Sequence, residues 1–164
     1  MKTKRDGSRI VRRDGEPPER VADPYEFARK PKEPAQCPEC RATFHGGRWT
    51  WVEAPPGAHE HLCPACHRVR DNAPAGYVTL TGPFLAEHLD EILHLVRNCE
   101  SREKAEHPLE RIIAIEHLPD RVLVTTTGTH LAREVAGKVH HAYQGELDLN
   151  YSEGENLVRA TWRR

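Results

Sequence analysis

The sequence lacks a long apolar segment and has few aromatic side chains. Of its 164 residues, 37% are hydrophobic and 6% are aromatic, and the mean hydropathy is −0.74. No apolar run approaches the ~18 residues that a membrane-spanning helix requires. The N-terminus shows no pattern of basic, apolar and small-residue regions typical of an export signal. We therefore expect a cytoplasmic protein without a membrane partner.

Recognisable catalytic motifs are also missing. The chain contains no G-x-S-x-G, no Walker loop, no G-x-G-x-x-G and no H-E-x-x-H. Two His–acid pairs have helical spacing, Asp90 with His94 and His130 with Glu134, but neither pair has an obvious third member. Solvated helix faces explain such pairs as well as an acid–base site does. An enzyme is therefore the least favoured class of protein.

Four of the five cysteines form two C-x-x-C pairs. Cys37 and Cys40 make the first pair, and Cys63 and Cys66 make the second after 22 intervening residues. A two-residue gap lets both thiolates of a pair face one ion, and two pairs supply the four ligands of a tetrahedral Zn²⁺ site. We predict one structural zinc in a small zinc ribbon whose spacer is a hairpin. The fifth cysteine, Cys99, receives no role.

Other uses of these cysteines are less favoured. Two redox dithiols or two disulfides would also employ both pairs. Cys63 to His67 additionally reads C-x-x-C-H, the haem-attachment pattern. Haem would leave the first pair without a function, and Met1 is the only methionine. His59 and His61 precede the second pair, but four thiolates already complete the coordination shell, so we expect both to be solvated.

Residues 1–36 are basic and contain five prolines, and we predict a flexible arm there. The segment has ten Lys/Arg against seven Asp/Glu, a net charge of +3. Basic arms often bind nucleic acid, although a solvated tail has the same composition. Tyr25 and Phe27 are its only aromatic residues and are expected to anchor it. The basic residues of its first part are Lys2, Lys4, Arg5, Arg9, Arg12 and Arg13.

Residues 37–76 are the predicted zinc ribbon. Gly46-Gly47 is a turn signal between two short strands. Trp49 and Trp51 should share one face of the second strand. They either cover the metal site and dock on the next domain, or provide a stacking platform for bases. Arg48, Arg68 and Arg70 complete the candidate nucleic-acid-binding set.

Residues 77–164 contain a possible internal repeat. Residues 81–87 align with 127–133 at an offset of 46, and each copy reads strand, Thr-Gly turn, helix. Leu89 and Val135 are expected to occupy equivalent buried positions. The predicted order is βαββαβ plus one extra strand, typical of a ferredoxin-like domain with two helices on one face of a sheet. The predicted fold class is thus α+β, a zinc ribbon followed by a ferredoxin-like domain.

Two sequence stretches carry a family resemblance. C-P-A-C-H-R-V-R-D, followed closely by G-Y-V-T-L-T-G, resembles a group of uncharacterised bacterial zinc-ribbon proteins over roughly residues 33–164. The cysteine pairs and the region after them are also similar to the zinc-binding part of the archaeal and eukaryotic large-ribosomal-subunit export adaptor. The resemblance implies association with RNA or the ribosome and leaves the specific role open.

These observations favour a non-catalytic RNA- or ribosome-binding protein. The alternative is a protein-interaction or transcription-associated adaptor. Residues 77–164 have a net charge of −4, which makes that part of the chain a poor electrostatic partner for phosphate. Binding to nucleic acid is therefore expected in residues 1–76.

Overall fold

Two β-sheets and the helices packed against them form a mixed α+β fold in the computed structural model, which describes residues 9–13, 24–27, 30–152 and 156–164. A large sheet combines five strands of the C-terminal part of the chain with one N-terminal strand, and a small sheet carries the cysteine pairs. In these ranges no helix combines the length and the apolar character needed to cross a bilayer.

The large sheet has six strands in the order β1-β9-β10-β6-β8-β7. Strand β10 is parallel to β6 and antiparallel to β9, and β8 is antiparallel to both β6 and β7. The strands are β1 (Arg9–Arg13), β6 (Gly76–Thr81), β7 (Ile112–His117), β8 (Arg121–Thr126), β9 (Glu146–Ser152) and β10 (Leu157–Arg163).

Alternation of buried and more exposed residues along the central strands places the core on one face of this sheet. Val78 and Leu80 of β6 are fully buried, whereas the residues between them are half-buried. The buried side chains pack with α4 (Leu89–Glu106) and α5 (Thr129–Tyr143) in one cluster that includes Trp162. Both long helices therefore lie on the same face of the sheet.

The first helical segment is divided into two helices. A short α3 (Pro83–Glu87) ends at His88, whose φ of −123° is not helical, and α4 starts at the next residue. The break rotates Leu89, which is only half-buried at the edge of the core, whereas Val135 is completely buried. The expected equivalence of Leu89 and Val135 is therefore wrong.

The ferredoxin-like topology is not confirmed. The elements follow the predicted βαββαβ order, and the cross-strand pair Val78 and Val124 consists of residues related by the offset of 46. In the ferredoxin-like arrangement the strand after the second helix would pair with the first strand. Here β10 lies between β9 and β6, so the extra strand is internal to the sheet.

The N-terminal segment is more structured than the predicted arm. Strand β1 pairs in parallel with β9, from Arg9 opposite Glu146 to Arg13 opposite Asn150. A single helical turn, α1 (Pro24–Phe27), follows. Proline spacing argues only against long helices, and β1 precedes the first proline, Pro17, so the prolines did not reveal this edge strand.

The small sheet has the order β4-β3-β2-β5 and is followed by helix α2 (Pro64–Asp71). Strands β3 and β4 form the predicted hairpin across Gly46-Gly47, where φ values of 61° and 77° favour glycine. Trp51 lies beyond the end of β4 rather than on its face. The strands are β2 (Ala35–Gln36), β3 (Thr43–His45), β4 (Arg48–Thr50) and β5 (His59–Glu60).

The core can be tested with a matched pair of substitutions. Val135→Asp places an unpaired charge in the centre of the core and should lower the free energy of unfolding by about 3 kcal/mol or more. Leu89→Asp should cost much less, since that side chain is half-buried and an acid at the first turn of a helix is favourable. Urea denaturation measures both, and equal costs would contradict the described helix packing.

Candidate metal centre

The four paired cysteines converge on one point. Cys37, Cys40, Cys63 and Cys66 have all their Sγ atoms within 4.8 Å of one another, and three of the four residues are buried. The Sγ atoms of Cys40 and Cys63 are 3.7 Å apart. A tetrahedral site with bonds of ~2.3 Å requires ~3.8 Å between sulfurs. The donor set therefore fits one four-coordinate metal ion.

The first pair lies on a tight loop between β2 and β3. Cys37 donates its N–H to the carbonyl of Ala42 at 2.8 Å, and Arg41 donates to the carbonyl of Cys37 at 3.0 Å. Arg41 has a positive φ of 67°, which turns the chain so that Cys40 faces Cys37. This loop is the knuckle that the C-x-x-C spacing predicts.

The second pair lies at the start of helix α2, after the spacer that contains the predicted hairpin of β3 and β4. Cys63 is the N-cap of α2, Pro64 occupies the first helical position, and the Cys63 Sγ accepts from the Cys66 N–H at 3.3 Å. The Cys63 N–H in turn donates to the Cys37 Sγ at 3.4 Å. Helix N-termini favour negative charge, so this placement stabilises thiolates.

The pKa values of the cysteine thiols indicate that the cluster needs a compensating positive charge. The pKa of Cys40 falls to about 4 because it accepts a hydrogen bond from the Cys63 thiol, and the pKa of Cys63 rises because it donates that bond and is buried. Burial raises the pKa of Cys66 to about 11. Four thiolates this close repel one another, so a bound cation is needed to hold all four charges.

Arg111 lies outside the metal module, which consists of the small sheet and α2 in residues 35–71, and supplies part of the positive charge. Its Nη1 donates to the Cys66 Sγ at 3.3 Å and its Nη2 donates to the Cys63 Sγ at 3.0 Å. The residue lies just before β7, and its backbone is held by Thr127, which accepts from the Arg111 N–H at 3.0 Å through its hydroxyl. Arg111 thus links the α/β domain to the second cysteine pair.

Trp49 covers the cysteine cluster, and Trp51 docks on the α/β domain. Trp49 is half-buried, packs against the cysteine cluster and lies 5.3 Å from the Phe44 ring. Trp51 is 39% exposed, and its Nε1 donates to the carbonyl of Lys104 at the end of α4 at 2.6 Å. Both tryptophans therefore make the contacts of the first predicted role, which was to cover the metal site and dock on the next domain. Part of each ring stays accessible.

The predicted arginines do not form one surface. Arg68 is only 6% exposed, with its guanidinium over the Tyr25 ring at 4.4 Å, so its assignment to a phosphate-binding surface is wrong. Arg70 is exposed but forms an ion pair with Glu39. Arg48 is exposed at the hairpin turn. Burial of Arg68 follows from its position in α2 beneath α1, which residue type alone does not indicate.

Only some of the basic residues of the N-terminal segment lie in the described part of the structure. Arg9, Arg12 and Arg13 lie in strand β1, at the edge of the large sheet. Lys2, Lys4 and Arg5 lie outside the described residues. Strand β1 is three strand spacings, roughly 14 Å, from β6, which continues directly from the metal module. Tyr25 makes the contact expected of the predicted anchor, because its hydroxyl donates to Asp71 at 3.2 Å, whereas the side chain of Phe27 lies outside the described part of the structure.

Several supporting residues carried no sequence signal. Glu33 accepts from the Gly46 and Gly47 N–H groups at 2.9 and 3.0 Å, so the module begins before Cys37. Glu110 accepts from the Leu131 N–H at 3.1 Å at the start of α5, and burial raises its pKa. These contacts, like those of Arg111, join segments far apart in the chain, and a motif search cannot find them.

Comparisons with protein-family models, curated proteins and solved structures found no match.

One metal ion per chain is expected. Elemental analysis of the purified protein should find about one equivalent, and Cys63→Ser should lose it because three ligands bind far more weakly than four. Cys99→Ser is the matched control and should retain the metal, since Cys99 lies in the separate core of the α/β domain. Full retention by Cys63→Ser would contradict the four-cysteine site.

Arg111→Gln tests the link from the α/β domain. Removing a charged partner of metal ligands typically lowers metal affinity by roughly 10- to 100-fold. Arg121→Gln, at an exposed position of β8, should leave the affinity unchanged. Competition with a chromophoric chelator measures both variants. Equal affinities for Arg111→Gln and the parent protein would show that the Sγ contacts do not stabilise the site.

Proposed function

We propose that this chain is a non-catalytic RNA- or ribosome-binding protein built around one structural zinc ion. The observation that carries the proposal is the exposed edge of the metal module, where the Arg48 guanidinium and part of the Trp51 ring are accessible on a rigid support. Aromatic rings beside cationic side chains are what single-stranded nucleic acid binds. The module is held at both ends, by the metal ligands and by the Trp51 contact with α4.

Zinc is the metal that best suits this donor set. Four sulfur donors in a closed tetrahedral arrangement select zinc or iron, and zinc is the usual structural ion. Four thiolates fill a tetrahedral shell and leave no position for a substrate, so the ion holds the fold and does no chemistry. Thiolate ligands persist in reducing compartments, which supports a cytoplasmic location.

The positions of the basic residues support a composite binding surface. Strand β1 carries three arginines at one sheet edge, roughly 14 Å from β6, and the metal module that precedes β6 in the chain carries Arg48. A single strand of several nucleotides can span such a distance, whereas one nucleotide cannot. This arrangement favours an extended RNA ligand over a mononucleotide for the surface as a whole.

We also infer that the α/β domain is a variant of the ferredoxin-like fold. The βαββαβ order, both long helices on one face and the direct pairing of Val78 with Val124 support this relation. Insertion of β10 between β9 and β6 is the difference. A hairpin at the end of the chain can enter a sheet in this way without changing the direction of any other strand.

A protein-interaction adaptor is the second candidate. Val52 is 69% exposed and lies next to the partly exposed Trp51, which makes a small apolar patch beside the metal module. Exposed apolar residues rimmed by polar ones often contact protein partners. The same patch in an RNA complex would pack against sugars and bases, so nucleic-acid binding by the purified protein separates the candidates.

Salt dependence of RNA binding tests the proposal. Replacing Lys2, Lys4 and Arg5 with Gln leaves the described sheet intact, whereas deleting the first 13 residues would remove β1. Each phosphate that the protein no longer neutralises should reduce the slope of log affinity against log salt by ~0.7 for single-stranded RNA. A slope reduced by up to ~2 is therefore expected in fluorescence-anisotropy titrations at several salt concentrations.

The control variant removes three positive charges from a different part of the protein. Arg97, Arg102 and Lys138 lie on α4 and α5, and replacing all three with Gln should leave the slope unchanged. No affinity for RNA in the parent protein, or equal slopes in all three proteins, would reject the proposed binding surface and favour the adaptor.

A further inference from the structure

A cavity of about 880 Å³ lies between the metal module and the α/β domain. The hairpin of β3 and β4 and the start of α2 form one side, and the segment between α4 and β7, together with the first turn of α5, forms the other. Pockets that enclose small organic ligands have volumes of roughly 300–1,000 Å³. The contacts of Arg111 and Trp51 join the two parts that enclose it.

One wall of the cavity is aromatic and rigid. Trp49 lines it together with Phe44, whose ring centre is 5.3 Å from that of the indole at a 53° tilt. Trp49 also packs against the cysteine cluster, so metal binding by those cysteines would hold the indole in place. A half-buried indole held in this way presents a fixed surface on which a flat ring can stack.

Two cations stand at the open side. Lys30 and Arg48 both line the cavity and are exposed. Neither takes part in the ion pairs formed among the described residues. Their charges are therefore available to an anionic group at the entrance, such as a single phosphodiester.

The opposite wall carries oriented imidazoles. The Nε2 of His130 lies 3.0 Å from the Glu103 carboxylate, and the His107 ring centre is 6.5 Å from that of His130. When Nε2–H of a neutral ring donates to a carboxylate, Nδ1 is the acceptor. His130 can then accept a hydrogen bond from an amino or ring N–H group of a ligand through Nδ1.

Acidic side chains restrict what can enter. Glu106 and Glu110 also line the cavity, and Glu110 is fixed by its bond from the Leu131 N–H. Carboxylates repel a polyphosphate, so a nucleoside triphosphate is a poor occupant. A neutral nucleobase inside the cavity avoids repulsion by the carboxylates, and one phosphate outside it can lie near the cationic Lys30 and Arg48.

We propose that this junction cavity binds one unstacked nucleobase of an RNA strand, stacked on Trp49 with its polar edge toward His130 and its phosphate at Arg48. The inference depends on the proposed function and specifies where one base of the RNA is held. RNA recognition commonly uses bases that leave the stack and pack on aromatic side chains. The preferred base carries a hydrogen-bond donor on the edge that faces His130.

The test uses the zinc-loaded full-length protein and takes the fluorescence of Trp49 as the difference between that protein and Trp49→Phe, which retains Trp51 and the fully buried Trp162. An eight-nucleotide mixed-sequence RNA should quench the fluorescence of Trp49. An abasic oligomer with the same number of phosphates should bind more weakly and cause no quenching. His130→Ala and Arg48→Gln should each reduce affinity for the RNA several-fold, and Trp49→Ala should reduce it roughly tenfold or more.

Controls separate this inference from the proposed function. His94→Ala, on the exposed side of α4 and outside this cavity, should bind like the parent protein. Metal content is measured for every variant because Trp49 contacts the cysteine cluster. RNA that binds with normal affinity to His130→Ala and does not quench Trp49 would overturn the inference and leave the proposed function intact. Absence of any RNA binding would overturn both.

Discussion

The contact between Arg111 and the thiols of the second cysteine pair is the interaction on which the arrangement of the two parts depends. A guanidinium with Nη atoms 3.0 and 3.3 Å from two Sγ atoms is a charge-assisted contact in a half-buried position. It balances part of the negative charge that four thiolates add to a divalent ion. Because Arg111 directly precedes β7, the electrostatics of the metal site help to determine where the module sits on the α/β domain.

Other contacts reinforce this junction from both sides. Thr127, at the start of the second strand–helix turn, both accepts from the Arg111 N–H and donates to the carbonyl of Leu109 at 2.6 Å, which places Leu109 against the cysteine cluster. Trp51 fixes the loop after β4 on the last turn of α4. The cavity between the parts, with Trp49 on one wall and His130 on the other, is a consequence of these contacts and not of either part alone.

Local patterns in the sequence predicted the parts of this structure that depend on neighbouring residues. The C-x-x-C spacing indicated the metal site, Gly46-Gly47 the hairpin, and apolar periodicity the helix over Thr129–Tyr143. These local patterns did not predict contacts between residues that are far apart in the chain. Nothing in the residue pattern shows that Arg68 is buried under Tyr25, that β10 enters the sheet next to β6, or that β1 pairs with β9. Each of these results from competition among many pairings, which only the whole fold resolves.

The central claim is that the metal ion holds the module and its junction with the α/β domain together. Hydrogen–deuterium exchange of the full-length protein with bound metal and after chelation tests this most directly. We predict that chelation removes protection from residues 35–71 and from the junction around Arg111 and Thr127, while the central strands β6 and β10 and helix α5 stay protected. Unchanged protection at Arg111 and Thr127, with loss confined to the module, would contradict the claim that the metal centre organises both parts.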